Sequence, residues 1–219
     1  MSSAASTPTP PPPFKAVLFD FGGVILSSPF EAFNHFERDH GLPLDFIRTV
    51  NATNPDTNAW ARFERNELSF TEFDEAFAAD SKALGHEVRG ADVLGRLQGE
   101  PRPSMVDLLD RVKAAGYLIA CLTNNITSTG SSSPYAAEIG DIMLRFDAVV
   151  ESSKTGVRKP EPRFYEMACE LLGVHPNECV FLDDLGINLK PAAAMGMTTI
   201  KVLGADQAIA DLETVLGWR

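Results

Sequence analysis

The chain is built from short apolar runs that each stop at a polar residue, separated by stretches with helical periodicity, and few folds accept that pattern. Ala16 to Phe19 is a continuous apolar run that halts at Asp20 and is followed by Gly22 and Gly23. Leu118 to Leu122 stops at Thr123, and Cys179 to Leu182 stops at Asp183 and Asp184. Further strand-like runs lie around Phe146 to Val150 and at Thr198 to Val202. Between them, Met105, Leu108, Leu109 and Val112 recur at helical spacing until Gly116. Helices are likewise predicted near Pro162 to Leu172, near Asn188 to Met195, and over a closing segment with Ile209, Leu212 and Val215. Unbroken apolar strands are those buried on both faces, so this alternation predicts an α/β fold: a doubly wound parallel sheet with helices on both sides. Ligands of such sheets bind beyond the carboxyl ends of the strands. Asp20, Thr123 and the Asp183/Asp184 pair, from three distant segments, are therefore expected on one rim.

Two segments break the alternation. Residues 1–14 carry proline at 8 and at 10 to 13 among Ser, Thr and Ala, cannot bury apolar area, and are expected to form a disordered tail; a proline-recognition ligand is the alternative. Residues 27–100 read as helical and more polar, with a loop at 51 to 58. The expected division is thus the tail, a core domain at 15–26 and 101–219, and an inserted helical subdomain at 27–100. Within the insertion Ser69 and Glu72 have capping-box spacing, with Leu68 and Phe73 placed for a hydrophobic staple. Phe70, Phe73 and Phe77 fall on one helix face, read here as internal packing.

Composition narrows the partners. With 219 residues, 44% of them hydrophobic, the chain can bury one full core plus a modest insertion. A net charge of −11 argues against nucleic acid, which is bound mainly through clustered Lys and Arg. An anionic small-molecule ligand would then need local positive charge or a metal. The three cysteines, Cys121, Cys169 and Cys179, are an odd count in apolar surroundings and read as buried thiols. Neither a signal-peptide pattern nor an apolar run approaching a membrane span is found, so a cytoplasmic location without membrane association is expected. Oligomeric state is left open, a homodimer being one option.

Singly, these strand-end signals are weak; their order is not. Phe19 to Val24 (FDFGGV), Leu122 to Asn125 (LTNN), Lys159 to Pro162 (KPEP) and Phe181 to Pro191 (FLDDLGINLKP) resemble, in sequence, the four motifs of the haloacid dehalogenase superfamily. The likeness is greatest to the branch containing the amino-terminal phosphatase domain of soluble epoxide hydrolases, especially over Phe146 to Tyr165 and Phe181 to Met197. The resemblance implies a Rossmann-like core with an α-helical cap at 27–100, and hydrolysis of a small phosphorylated substrate. Asp20 would be the nucleophile and Lys159 the catalytic cation. Thr123 and the amide of Asn124, with the Gly22–Gly23 turn, would bind the phosphoryl group. Mg²⁺ would be held by Asp20, the Gly22 carbonyl and Asp184, with Asp183 acting directly or through water. These assignments make physical sense: a carboxylate approaching an anionic phosphate is repelled unless a divalent cation bridges them, and hard oxygen ligands suit Mg²⁺.

One departure bears on mechanism. Phosphatases of this family usually carry a second Asp two residues after the nucleophile as general acid and base, and here that position is Gly22. The loss should slow poor leaving groups by about 10²- to 10⁴-fold without abolishing attack. A good leaving group (an anomeric sugar, aryl or acyl phosphate), a substitute acid such as Glu64 or Glu67, or a binder with little turnover would each be compatible. Asn188 is read equally as a helix N-cap or as a supporting contact of the site. A metal-independent 2-haloacid dehalogenase is the competing enzyme reading, and the Asp183/Asp184 pair is what speaks against it. His40 to Pro43 (HGLP) superficially resembles an epoxide hydrolase signature, but helix termination is the simpler explanation. His35, His40, His86 and His175 show no ligand spacing.

Overall fold

The computed structural model describes residues 14–95, 99–125 and 134–218. Residues 1–13 of the expected tail lie outside them, as do 127–133 of the polar stretch Thr127 to Pro134, which the sequence predicts as a surface loop; Phe14, the last residue assigned to the tail, packs partly buried against the core. Strands β1 (Ala16–Phe19), β2 (Leu118–Thr123), β3 (Ala148–Glu151), β4 (Cys179–Asp183) and β5 (Thr198–Lys201) form one sheet in the order β3-β2-β1-β4-β5, every pairing parallel. The chain steps from β1 through β2 to β3, then returns to place β4 on the other side of β1. The strand order therefore reverses between β1 and β4, the switch point at which such sheets open a crevice.

Alternation along the strands explains the two-sided core. Val17, Phe19, Ile119, Cys121, Val180 and Leu182 face one cluster, completed by α6 (Pro103–Ala114) and α11 (Ala205–Leu216). Ala16, Leu18, Ala120, Leu122 and Phe181 face the other, with α9 (Pro162–Leu172) and α10 (Gly186–Ala194). Successive strand residues point to opposite faces, so a run apolar at every position is what a sheet covered on both sides requires. The three cysteines are free and buried. Two short helices, α7 (Ala136–Met143) and α8 (Ser152–Thr155), flank β3. The third strand begins at Ala148 rather than at Phe146; Phe146 is buried against Phe19 but precedes the ladder.

Between β1 and β2 the chain makes five further helices, α1 (Pro29–Asp39), α2 (Phe46–Ala52), α3 (Ala59–Glu64), α4 (Phe70–Ala83) and α5 (Gly90–Leu94). They pack on one another around Phe33, Phe36, Phe63, Phe73 and Phe77. The Ser69/Glu72 capping box opens α4, and Leu68 and Phe73 are both buried. Of the expected aromatic stripe, Phe73 and Phe77 are internal, whereas Phe70, the first residue of α4, is 36% exposed. His40 caps the end of α1 through its Nδ1 and the Phe36 carbonyl, so His40 to Pro43 is a helix end. The segment leaves and rejoins the sheet at a narrow neck. Leu26 bridges Pro101, the Ser27 N–H donates to the Glu100 carbonyl at 2.8 Å, and the Arg102 N–H donates to the Ile25 carbonyl at 2.9 Å.

Candidate active site

The carboxyl ends of β1 and β4 deliver the acidic residues to the switch point. Asp20 follows β1 directly, and its backbone N–H stays in the sheet by donating to the Leu182 carbonyl at 2.9 Å. The chain then turns sharply through Phe21–Ile25, with Asp20 Oδ1 accepting from the Phe21 N–H at 2.6 Å. Gly22 and Gly23 make this turn and are not interchangeable. Gly22 has an ordinary backbone, φ −72° and ψ 128°, and a Cβ placed there would meet nothing within 4 Å. Gly23 sits at φ +81°, and a Cβ there would lie 2.3 Å from Asp184 Oδ2. Glycine at 23 is thus required twice, by conformation and by the close approach of Asp184.

Asp183, the last residue of β4, is fully buried and held on both oxygens. Oδ1 accepts from the Leu185 N–H at 2.7 Å, and Asn188 Nδ2 lies 3.1 Å from each oxygen. Asn188 is therefore not the N-cap of α10, a position taken by Leu185; it reaches back and braces Asp183. Tyr165, itself buried, fixes this turn by donating to the Asn188 carbonyl at 2.7 Å. Between Asp20 and Asp183 stands Lys159, 1% exposed, its ammonium 2.6 Å from Asp20 Oδ1 and 2.8 Å from Asp183 Oδ2. The Lys159 peptide is clamped by the Asn124 side chain, whose Oδ1 accepts from the Lys159 N–H at 2.8 Å and whose Nδ2 donates to the Lys159 carbonyl at 3.0 Å. Thr123, just before it at the end of β2, is buried beside this group.

The sequence-predicted residues thus converge at the carboxyl end of the sheet; Asn188 takes the supporting role that was one of its two readings, while the side-chain clamp of Asn124 on the Lys159 peptide was not visible in the sequence. The clamp joins segments 35 positions apart, so no local pattern carries it. The two carboxylates considered as substitute acids are otherwise engaged. Glu64 accepts from Trp60 Nε1 on one oxygen and from Arg158 on the other, and Glu67 pairs with Arg65 and Arg62.

Charge is unbalanced here. Among the described residues, Asp20, Asp183 and Asp184 each offer a carboxylate oxygen, all within 4.8 Å of one another; the Lys159 ammonium pairs with Asp20 and Asp183, and the charge of Arg102 acts on Asp184 more weakly. Burial raises the Asp20 pKa well above the ordinary carboxylate value, with Lys159 opposing the shift and Asp183 and Asp184 adding to it. Burial also raises Asp184, to about 6, helped by the charge of Asp183. For Lys159, burial acts to lower the pKa, but the carboxylates of Asp183 and Asp20 outweigh it, so the side chain stays a cation. A cluster of hard oxygen donors that one ammonium leaves negative fits a small divalent cation such as Mg²⁺.

Comparison with known proteins places this geometry. The family model for haloacid dehalogenase-like hydrolases matches residues 14–196. The chain belongs to that family. Among its relatives, a phosphatase of Mycobacterium tuberculosis is 33% identical over 192 residues, covering 83% of this chain and 84% of the relative. Bifunctional epoxide hydrolase 2 of Mus musculus is 31% identical over 93% of this chain, which spans only 39% of that protein. Acyl-CoA dehydrogenase family member 10 of Mus musculus is 33% identical over 94% of this chain, which spans 19% of it. Among solved structures, a dehalogenase with an intermediate complex superposes with a TM-score of 0.64 at 21% identity, covering 93% of this chain and 97% of that one. A family enzyme from Bacteroides thetaiotaomicron, crystallised with magnesium and inorganic phosphate, superposes with a TM-score of 0.54 at 19% identity over 86% of this chain and 93% of that one. The fold and the hydrolase family are thereby established. Among the described residues, no helix is long and apolar enough to cross a membrane.

Proposed function

We propose that the chain is a Mg²⁺-dependent phosphatase that cleaves a small phosphorylated metabolite through an aspartyl-phosphate at Asp20. The observation that carries this reading is the crowding of three carboxylates around one ammonium at the switch point. A dehalogenase working through an aspartate ester needs no metal, whereas attack on an anionic phosphate needs a divalent cation, which such an excess of carboxylate would hold. The phosphatase among the relatives, and the magnesium and phosphate bound by the Bacteroides enzyme, support the same choice.

In this reading Asp20 Oδ1 is anchored by the Phe21 N–H and Lys159, leaving Oδ2 to attack phosphorus. Lys159 offsets charge building on the phosphoryl oxygens, and the Thr123 hydroxyl and Asn124 amide donate to them. Asp20, the Gly22 carbonyl and Asp184 would hold Mg²⁺, which when bound neutralises charge between nucleophile and substrate. Asp183, with both oxygens already engaged, contributes through water. The helices between Pro29 and Leu94 serve as the cap whose side chains choose the substrate. With Gly22 at the usual acid position and Glu64 and Glu67 tied to arginines, the preferred esters are those with good leaving groups.

The test is a screen of phosphorylated metabolites with and without Mg²⁺, comparing wild type with Asp20→Asn. Turnover that needs Mg²⁺ and vanishes in Asp20→Asn is expected. Full activity in Asp20→Asn removes the nucleophile assignment, and metal-independent release of halide from 2-haloacids would favour the dehalogenase reading.

A further inference from the structure

Arg158 precedes Lys159 in the chain, yet its side chain reaches into the helical segment. Its Nε donates to Glu64 Oε2 at 2.7 Å, Nη2 forms an ion pair with the same oxygen at 2.6 Å, and Nη1 donates to the Pro55 carbonyl at 2.9 Å. The pair is largely out of solvent, with side-chain exposures of 14% for Arg158 and 9% for Glu64. Glu64 is held from its own side by the Trp60 indole N–H at 2.9 Å, and that ring packs edge-on against Phe33 and Phe73 in the aromatic cluster. The carboxylate is thus a fixed point of the helical segment. One residue further along, the Lys159 peptide is clamped by Asn124 at the end of β2. The Arg158–Lys159 dipeptide is therefore gripped from two bodies, by α3 at its first residue and by the sheet at its second.

We propose that Arg158 is a positioning residue of the reaction: by pairing with Glu64 it seats the Arg158–Lys159 dipeptide against α3 and so places the Lys159 ammonium between Asp20 and Asp183. The helical segment then does more than cover the site, because it supplies part of the frame that orients a catalytic group. An exposed ion pair would contribute little, but truncating one partner of a shielded, doubly bonded pair leaves the other charge stranded. A displacement of about 1 Å at a catalytic group can cost on the order of 10²-fold in rate.

The inference rests on the phosphatase reading, and the test separates the two. Wild type, Arg158→Ala, Lys159→Met and the double variant are assayed with an aryl phosphate and Mg²⁺ for kcat and KM. The same four proteins are titrated with BeF₃⁻ as a phosphoryl mimic at Asp20, and their melting temperatures are recorded. Arg158→Ala is expected to lower kcat by about 10- to 10²-fold with KM little changed, and to weaken BeF₃⁻ binding. In the Lys159→Met background it should have almost no further effect on either readout. Arg158→Lys, which keeps a donor for Glu64, should recover part of the loss. An equal penalty in both backgrounds, or a lower melting temperature with kcat per folded molecule unchanged, overturns the proposal. Should Arg158→Ala not fold, Glu64→Gln keeps the shape, removes the charge and carries the same cycle. A wild type that neither binds BeF₃⁻ nor turns over any phosphate ester overturns the phosphatase reading and this inference with it; an active wild type with additive variants overturns this inference alone.

Discussion

On the proposed phosphatase reading, replacing Gly22 by Asp should widen the range of leaving groups, and the geometry of the turn makes the experiment clean. The backbone at Gly22 is in a region open to any residue, and a Cβ there meets no atom within 4 Å. A side chain can therefore be added without strain. Gly→Ala at such a position stabilises by about 0.4–1 kcal/mol through the unfolded chain, so Gly22→Ala should melt at or slightly above wild type. Gly22→Asp adds a carboxylate to an already negative cluster, so its melting temperature should fall below that of Gly22→Ala and recover when Mg²⁺ is added. Catalytically, a general acid is worth about 10²- to 10⁴-fold, or roughly 3–5 kcal/mol of barrier, where the departing alkoxide is basic. The assay is kcat/KM across acyl, aryl and alkyl phosphates of graded leaving-group pKa. Wild type should fall steeply along the series. Gly22→Asp should leave acyl and nitrophenyl esters almost unchanged, raise alkyl esters by the full factor, and so flatten the slope. A gain equal for all esters, or none in a folded protein that binds Mg²⁺, would refute the account of the missing acid.

Lys159→Met should lower turnover by about 10²- to 10³-fold, to a slow but measurable rate, and also destabilise the fold by about 3–5 kcal/mol in urea titration, because it leaves two buried carboxylates facing each other without their counter-charge. Asp184→Asn carries a pH signature. The Asp184 pKa is raised from 3.8 to about 6 by burial and by Asp183, so the proton is held more tightly in the folded state. The stability this group contributes is present below its unfolded pKa and lost as pH rises through the folded one. Without metal, wild type should lose stability relative to Asp184→Asn between those values, and saturating Mg²⁺ should reverse the difference; parallel stability curves would sink the claim. Phe73→Ala, at the centre of the aromatic cluster, should cost about 3–5 kcal/mol by denaturant melting, with any rate change seen in KM rather than in the Mg²⁺ requirement.

Much of the fold was legible because its signals are local. Unbroken apolar runs at Ala16 to Phe19 and Cys179 to Leu182 leave few options besides buried parallel strands, and the capping box of Ser69 and Glu72 marks the start of α4 within its own four residues. Helix α7 was not anticipated, since its apolar face is a single short set, Ile142 buried with Ile139 and Met143 partly buried against the core. At the site, Asp20, Asp183 and Asp184 announce themselves by stopping strands. Asn188 was ambiguous because an Asn near a helix start usually caps it; only the folded chain reveals that the helix starts earlier and that the amide turns back to Asp183. The Arg158–Glu64 bond spans 94 positions, and nothing near either residue signals the other.

The neck at Leu26 and Pro101 has a consequence for how such a molecule can change. Because both ends of the helical segment are stitched together where they meet the sheet, the loop-closure entropy of everything between them is settled at that stitch, and altering the length in between adds only a slowly growing logarithmic cost. The excursion behaves as a cassette. Whole helices should be open to exchange, shortening or addition without disturbing the carboxylates at the strand ends, provided that the replacement still presents an acid to meet Arg158.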